Sequence, residues 1–162
     1  MKPYSTRNLP DHPSPLEDHS GSIAPSDQAR QDETAIRLHG RVLLVDDSRE
    51  NQRILTYHLV KLGLIVVVVE DGLQAAIRGA SEKFDLILMD LQMPVLDGFA
   101  ATELLRRMGN REPIVALSAL HGPEVIEKCF SSGCDGFLHK PVQFEQFVHE
   151  MCRFFSPRRS DF

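Results

Sequence analysis

The sequence has few cysteines, no excess of positive charge and no long apolar run, and each shortage excludes a class of protein. Three cysteines among 162 residues, none in a CxxC spacing, indicate neither a disulfide framework nor a zinc site. Lys plus Arg number 18 against 23 Asp plus Glu, a net charge of −5, which argues against a basic nucleic-acid-binding module. No apolar run approaches the roughly 18 residues of a membrane span, and the N-terminus lacks a signal-peptide stretch. We therefore expect a cytoplasmic protein with reduced cysteines and no membrane span.

The first 40 residues differ in composition from the rest of the chain. They hold five of the ten prolines and contain no Val, Phe or Cys, so they bury too little apolar surface to offset the entropy of the chain. We predict a flexible N-terminal arm or linker over residues 1–38, with a helical turn near 34–38, a folded domain over 39–156 and a short tail over 157–162. No DNA-binding output domain is expected after residue 155, so output should pass through protein contacts.

The folded part alternates short apolar runs with segments of helical periodicity. The apolar runs lack period-two alternation, as is typical of strands covered on both faces in a parallel sheet, and they lie at residues 42–45, 64–69, 86–89, 114–117 and 136–138. Between and after them, apolar residues recur at spacings of three, four and seven, which predicts amphipathic helices. The predicted inward faces include Leu55, Leu59 and Leu62; Leu73, Ala76, Ile77 and Ala80; Ala101, Leu104, Leu105 and Met108; Ile126, Cys129 and Phe130; and Phe144, Phe147, Val148, Met151 and Phe155. The count is (βα)₅ in the α/β class.

Polar residues follow the predicted strands where function gathers in an open α/β sheet, outside the carboxyl ends. These residues are Asp46, Asp47, Asp90, Ser118 and Lys140. Two carboxylates about 4 Å apart repel by roughly 4 kcal/mol at an effective dielectric of 20, so three in one cleft need a cation or a shifted pKa. Mg²⁺ suits such oxygen ligands and leaves room for phosphoryl oxygens, and a carboxylate can accept a phosphoryl group. We therefore expect a magnesium site and a phosphoryl acceptor at Asp90.

Simpler interpretations exist for single members of this set. Asp47 or Ser48 could merely cap the following helix, since Asp47 with Glu50 fits a capping box. Ser118 alone could be a loop hydroxyl, and Lys140 alone a solvated charge. Asp90 is harder to dismiss, because it follows a strand that must be buried.

Four segments together resemble the response-regulator receiver domain of two-component signalling: VLLVDDSRENQ at 42–52, FDLILMDLQMPVLDGF at 84–99, PIVALSA at 113–119 and GCDGFLHKP at 133–141. The resemblance covers about residues 40–155, and MDLQMPVLDG is most similar to receivers of hybrid sensor histidine kinases. It implies a flavodoxin-like doubly wound fold with a five-stranded parallel sheet in the order 2-1-3-4-5. It also implies a cis bond at Lys140-Pro141 and a helix cap at Asp97.

The resemblance also implies a role for each site residue. Asp90 is the expected phosphoacceptor; Asp46 and Asp47, with Asp90 and the backbone carbonyl of Gln92, would hold Mg²⁺. Ser118 would hydrogen-bond the phosphoryl group, Lys140 would pair with it, and Phe137 would be the switch aromatic. The expected donor is a histidine kinase or a histidine phosphotransfer protein, and a downstream protein would bind the face formed by the fourth helix, fifth strand and fifth helix. The domain would not be a turnover enzyme, although it would assist its own phosphorylation and dephosphorylation.

Three other interpretations of the sequence compete with a phosphoacceptor receiver domain. A flavodoxin-type cofactor module fits poorly, because Asp46 and Asp47 would repel a phosphate at the first loop. An aspartyl-phosphate phosphatase needs a second acid two residues after its nucleophile, where this chain has Gln92. A receiver-like binding module that works without phosphorylation stays the main alternative.

Overall fold

The computed structural model describes residues 36–155, which form a central parallel sheet with helices on both faces. The strands are β1 (Arg41–Val45), β2 (Ile65–Val69), β3 (Leu86–Asp90), β4 (Ile114–Ser118) and β5 (Gly136–His139). The helices are α1 (Arg49–Lys61), α2 (Gly72–Ser81), α3 (Gly98–Arg107), α4 (Pro123–Ser132) and α5 (Phe144–Phe154). The strand order is β2-β1-β3-β4-β5 and every pairing is parallel, so the predicted fold class is confirmed.

Successive residues of each central strand enter opposite cores, because side chains alternate across a sheet. Val42, Leu44, Leu86 and Leu88 face the core covered by α1 and α5, whereas Leu43, Val45, Ile87 and Met89 face the core covered by α2, α3 and α4. Strands β3 and β4 are buried along their whole length. This double cover explains the continuous apolar runs of the sequence.

Strand β2 departs from the prediction of full cover. It lies at the edge of the sheet, and Ile65 and Val68 are 62% and 37% exposed. An edge strand has a neighbour on one side only, so the apolar run at 64–69 reflects β propensity as well as burial.

The buried face of α2 also differs from the predicted one. Of the predicted face, Ala76 is buried, whereas Leu73 and Ile77 are about half exposed and Ala80 is exposed. The other buried residues of the helix are Gly72, Ala75 and Gly79. A Cβ built at Gly79 would lie 2.6 Å from Leu105 Cδ2 on α3. The helix approaches α3 so closely that only small side chains fit between them, and the larger apolar residues turn outward.

The first described residues bear on the predicted arm. Leu38 is fully buried in the core beneath α1, and its amide donates to the carbonyl of Leu62 at 2.7 Å. The packed part of the chain therefore starts before the predicted boundary at residue 39. Residues 36–39 have no helical turn. The predicted arm up to residue 35 and the tail over 157–162 lie outside the described residues.

The end of the sheet opposite the strand carboxyl termini is tied together by Arg106 of α3. Its guanidinium donates to the carbonyls of Glu112 and Gly133 at 2.8 and 3.0 Å and to the Asp135 carboxylate at 2.8 Å. The same carboxylate accepts the amide of Ile114, the first residue of β4, at 2.9 Å. One planar side chain with several fixed donors thus joins α3 to the starts of β4 and β5.

Candidate functional site

Three carboxylates meet at the carboxyl ends of the two central strands. Asp46 and Asp47 directly follow β1, and Asp90 is the last residue of β3. One oxygen from each lies within 4.8 Å of the others. Asp46 and Asp90 are buried, at 0% and 4% exposure, whereas Asp47 is exposed. The fold therefore brings together the three acids that the sequence predicts at the carboxyl ends of the strands.

Lys140 spans the two buried acids. It follows β5, and its Nζ donates to Asp46 Oδ2 at 2.7 Å and to Asp90 Oδ2 at 2.8 Å. Burial alone would lower the pKa of Lys140, but the hydrogen bonds to the two acids outweigh it and raise the pKa above its ordinary value. Lys140 is therefore a cation. The Lys140-Pro141 bond is cis, as the resemblance implies.

Asp90 combines burial with two hydrogen bonds. Its Oδ1 accepts the amide of Gln92 at 3.0 Å, and its Oδ2 accepts from Lys140. Burial raises the pKa of Asp90 above its usual value, against the lowering effect of these two bonds. Partial desolvation makes a carboxylate a better nucleophile when a cation balances its charge. Gln92 itself is exposed, and its predicted metal-binding carbonyl remains a prediction.

Asp46 is oriented by two residues of α1, Asn51 and Gln52, that the sequence pattern did not predict. Asp46 Oδ1 accepts the amide of Ser48 at 2.8 Å and the side-chain amide of Asn51 at 3.4 Å, and Gln52 Nε2 donates to the Asp46 carbonyl at 2.7 Å. Ser48, not Asp47, caps α1 through the Asn51 amide, which leaves the Asp47 carboxylate for another use. The positions of Asn51 and Gln52, one turn into the helix after Asp46, are the signal that could have revealed them.

Ser118 lies at the end of β4, and its side chain bonds to the loop that follows the strand. Its buried hydroxyl accepts the amide of Leu120 at 2.9 Å, and its carbonyl accepts the amide of Lys140 at 2.8 Å. Because the oxygen carries one donor hydrogen and further acceptor capacity, the hydroxyl can still donate to a group that enters the cleft. The β4–α4 loop must shift if the Leu120 bond is exchanged for such a group.

Phe137 lies on β5, half-buried against the core under α4. Its ring meets that of His139 edge-on at a centroid distance of 4.8 Å, and His139 stacks on His121 of the β4–α4 loop at 4.9 Å. The ring is therefore connected, through His139, to the loop that follows Ser118.

The donor set fits a hard divalent cation. Three carboxylates face one lysine, so the cluster carries more negative than positive charge, and oxygen is the ligand atom that Mg²⁺ prefers. The exposed Asp47 leaves one side of the cluster open to water and to an incoming anion. Among residues 36–155 this is the one group of three or more candidate metal-binding side chains.

Comparison with known proteins gives the same assignment. The model of the response regulator receiver domain matches residues 42–151. Hybrid signal transduction histidine kinase G of Dictyostelium discoideum is 34% identical in an alignment 119 residues long that covers 70% of this chain and 4% of that protein. Histidine kinase 3 of Arabidopsis thaliana is 33% identical in an alignment 142 residues long that covers 74% of this chain and 14% of that protein. The chain thus spans a small fraction of these relatives.

Solved structures agree in fold and sequence. The receiver domain of a sensor histidine kinase from Pseudomonas aeruginosa, solved with magnesium ion coordinated in its active site cleft, is 36% identical with a TM-score of 0.67, covering 72% of this chain and 97% of that one. A co-crystal structure from Saccharomyces cerevisiae contains a histidine phosphotransfer protein and the receiver domain of its downstream response regulator. It matches at 28% identity and a TM-score of 0.69, over 74% and 90% of the two chains. The chain belongs to the response-regulator receiver domain family and is similar to the receivers of hybrid histidine kinases.

Proposed function

We propose that the domain accepts a phosphoryl group from a phosphohistidine onto Asp90 and passes the change to a protein-binding surface in a phosphorelay. The observation that carries the proposal is the buried Asp90 carboxylate beside two further acids and one lysine, at the carboxyl end of the central strands. An Oδ of Asp90 would form the new bond to phosphorus while the phosphorus–nitrogen bond of the donor breaks, and the donor imidazole keeps the released electron pair and takes a proton.

Asp46, Asp47, Asp90 and the carbonyl of Gln92 would hold Mg²⁺, which supplies charge neutralisation of the phosphoryl oxygens when bound. Lys140 already donates to Asp90 Oδ2 and would transfer that bond to a phosphoryl oxygen. Asn51 and Gln52 keep Asp46 oriented from α1. These groups exist before any donor arrives, so the cost of ordering them is not incurred in the transfer step.

The switch would begin at Ser118 and end at the face formed by α4, β5 and α5. A phosphoryl group adds charge and strong acceptors, and the Ser118 hydroxyl would turn to donate to one of its oxygens. The accompanying loop shift would release His121 from His139 and let Phe137 turn inward. Moving an equilibrium from 1:99 to 99:1 takes about 5.5 kcal/mol, which charge-assisted hydrogen bonds and repacking can approach.

The partners in this proposal are a histidine kinase or a histidine phosphotransfer protein as donor and a downstream protein at the α4–β5–α5 face. Exposed apolar side chains flank the cleft on α1: Ile54 and Tyr57 are 50% and 61% exposed. Ile54 also lines a cavity of about 260 Å³ together with Lys140 and Pro141. Ile54 and Tyr57 therefore offer apolar contacts to a phosphodonor protein that docks beside Asp90.

The proposal includes a cytoplasmic location and no catalytic turnover of outside substrates. None of the helices between residues 36 and 155 is long and apolar enough to cross a membrane. The three cysteines, none of which is paired between residues 36 and 155, suit a reducing compartment.

The test is intact-mass spectrometry after incubation with Mg²⁺ and acetyl phosphate, with the Asp90→Asn variant alongside. One Mg²⁺-dependent phosphoryl adduct is expected on the native chain and none on the variant. Asp71→Asn is the matched control, since Asp71 caps α2 through the Gln74 amide and Asn caps equally well; it should retain the adduct. If the native chain takes no phosphoryl group from acetyl phosphate or from a phosphorylated histidine phosphotransfer protein, the phosphorylation-independent binding module replaces this proposal.

A further inference from the structure

Two buried thiols meet where α4 ends. Cys129 is 0% exposed and Cys134 is 6% exposed, and both belong to the core between α3, α4 and the sheet. The phosphoacceptor site described above uses neither of them. Their placement follows from the way in which the helix stops.

The end of α4 is a Schellman motif. Gly133 adopts the left-handed conformation at φ 108, its amide donates to the carbonyl of Phe130 at 3.0 Å, and the amide of Cys134 donates to the carbonyl of Cys129 at 3.2 Å. This motif brings the side chain three residues before the cap against the side chain two residues after it, a contact that is normally made by apolar residues. Here both positions are cysteine.

We propose that Cys129 and Cys134 form a peroxide-sensitive dithiol that closes to a disulfide in the native fold. A disulfide needs Cα atoms within about 7 Å and side chains directed at one another. The main-chain hydrogen bond between these same two residues satisfies the first condition. The second is supported by the register of the motif, which directs these two side chains at one another, and by the burial of both residues in the same core cluster.

The surroundings divide the roles between the two sulfurs. The hydrogen bond from Cys129 lowers the pKa of Cys134, with further help from the Thr102 hydroxyl, 3.8 Å from its sulfur, and from the Arg106 guanidinium, while burial and Asp135 oppose them. The same hydrogen bond, together with burial, raises the pKa of Cys129. Cys134 is also the more exposed of the two, at 6% against 0%, so we assign Cys134 as the nucleophile and Cys129 as the resolving thiol.

The chemistry balances with hydrogen peroxide as oxidant. The Cys134 thiolate attacks one peroxide oxygen, the oxygen–oxygen bond breaks, and hydroxide leaves, which gives a sulfenic acid. The sulfur of Cys129 then attacks the Cys134 sulfur, the sulfur–oxygen bond breaks, and water leaves with the thiol proton. In total two thiols and one peroxide give one disulfide and two waters.

The position of the pair gives the oxidation a structural effect. Cys129 is on α4 and Cys134 precedes β5 by two residues, so the bond would fix the C-terminal turn of α4 relative to β5. Hydrogen peroxide is small and uncharged, and it would reach the pair at Cys134, which keeps 6% of its surface exposed.

The experiment uses the full chain, treated with hydrogen peroxide in native buffer, quenched by alkylation and analysed by intact and peptide mass spectrometry. We expect a mass loss of about 2 Da before alkylation, from the two hydrogens removed on disulfide formation, and a crosslinked peptide joining Cys129 to Cys134. After denaturation in the alkylating reagent, the oxidised chain should carry one alkyl group, at Cys152, where the untreated chain alkylates all three thiols. Cys152→Ser removes the third cysteine, which is half-buried on α5, and should react as the native chain does.

Cys129→Ala removes the resolving thiol and provides the second readout. This variant also loses the neighbouring thiol that lowers the pKa of Cys134, so Cys134 should react more slowly than in the native chain. Its product should be a sulfenic acid, which dimedone traps and which further peroxide converts to sulfinic acid. Circular dichroism checks that the variants are folded. The proposal is overturned if folded native chain reacts at Cys152 alone, if its disulfides join Cys152 to either partner, or if peroxide leaves Cys129 and Cys134 as alkylatable thiols until the chain unfolds.

Discussion

Replacing Asp47 by Asn should stabilise the domain without metal and weaken its binding of Mg²⁺. Lys140 donates to both Asp46 and Asp90, so among residues 36–155 Asp47 is the member of the cluster with no ion-pair or hydrogen-bond partner. Its carboxylate lies within 4.8 Å of the other two. Asn keeps the shape of the side chain and removes one like charge.

The magnitude follows from the separation and the exposure. Two unit charges 4.8 Å apart repel by about 3.5 kcal/mol at an effective dielectric of 20 and by about 0.9 kcal/mol in bulk water. Asp47 is exposed, so the lower end applies, and we expect a gain of about 1 kcal/mol in the free energy of unfolding. Losing one carboxylate ligand should weaken Mg²⁺ binding at least tenfold, a cost of about 1.4 kcal/mol.

The assay is urea unfolding followed by circular dichroism, in EDTA and again in saturating Mg²⁺, with calorimetric titration for the dissociation constant. Because binding to the native state alone adds stability, Asp47→Asn should be the more stable protein in EDTA and should gain less from Mg²⁺. Glu127→Gln is the control, since Glu127 is an exposed acid on α4 remote from β1; it should change neither quantity. A less stable Asp47→Asn in EDTA, or an unchanged Mg²⁺ affinity, would refute the reasoning.

Three further substitutions test other parts of the structure. Lys140→Ala leaves two buried acids unpaired, so it should cost about 3 kcal/mol of stability in EDTA, and Mg²⁺ should restore part of that loss. The control is Lys83→Ala, at a side chain 97% exposed, which should cost less than about 0.5 kcal/mol. Equal costs for the two variants would contradict the assigned pairing. Gly98→Ala should cost more than about 2 kcal/mol by denaturant unfolding, because a Cβ there would overlap the carbonyl of Asp90. Gly109→Ala meets nothing within 4 Å and should cost only the roughly 1 kcal/mol of its left-handed backbone. Ser118→Ala loses an acceptor for one backbone amide and should cost about 1 kcal/mol; it should still take up phosphoryl from acetyl phosphate by mass spectrometry, and failure to do so would place Ser118 in the transfer step itself.

Much of the architecture was predictable because the buried strands leave a strong signal. Strands β1, β3 and β4 are covered on both faces, and their continuous apolar runs follow from that cover. The face of α2 was not predictable from periodicity, since close contact with α3 selects small residues such as Gly79 over the larger Ile77. Exposure at β2 depends on its edge position, which is a property of the whole sheet.

The candidate site likewise has a part that the sequence predicts and a part that it does not. The strand-end positions of Asp46 and Asp90 could be predicted from the sequence, because each of these residues directly follows an apolar run. The bond from the Leu120 amide to Ser118, and the bond from the Cys134 amide to the Cys129 carbonyl, depend on how a loop and a helix end are closed. For the second of these, the glycine at 133 between the two cysteines was a usable signal, because the positions flanking such a glycine meet in space.

The bonds of Arg106 give β4 and β5 one immobile end. The guanidinium and Asp135 hold both strand starts to α3, while the opposite ends carry Ser118 and His139 and adjoin the cleft. Because their starts are held, a displacement that begins in the cleft should not slide either strand along its length. It should instead bend the chain close to Ser118, with the largest shift at the carboxyl ends of β4 and β5. Under the proposed switch, the difference between the two states should therefore be largest near His121 and His139 and smallest at the strand starts that Arg106 and Asp135 hold to α3.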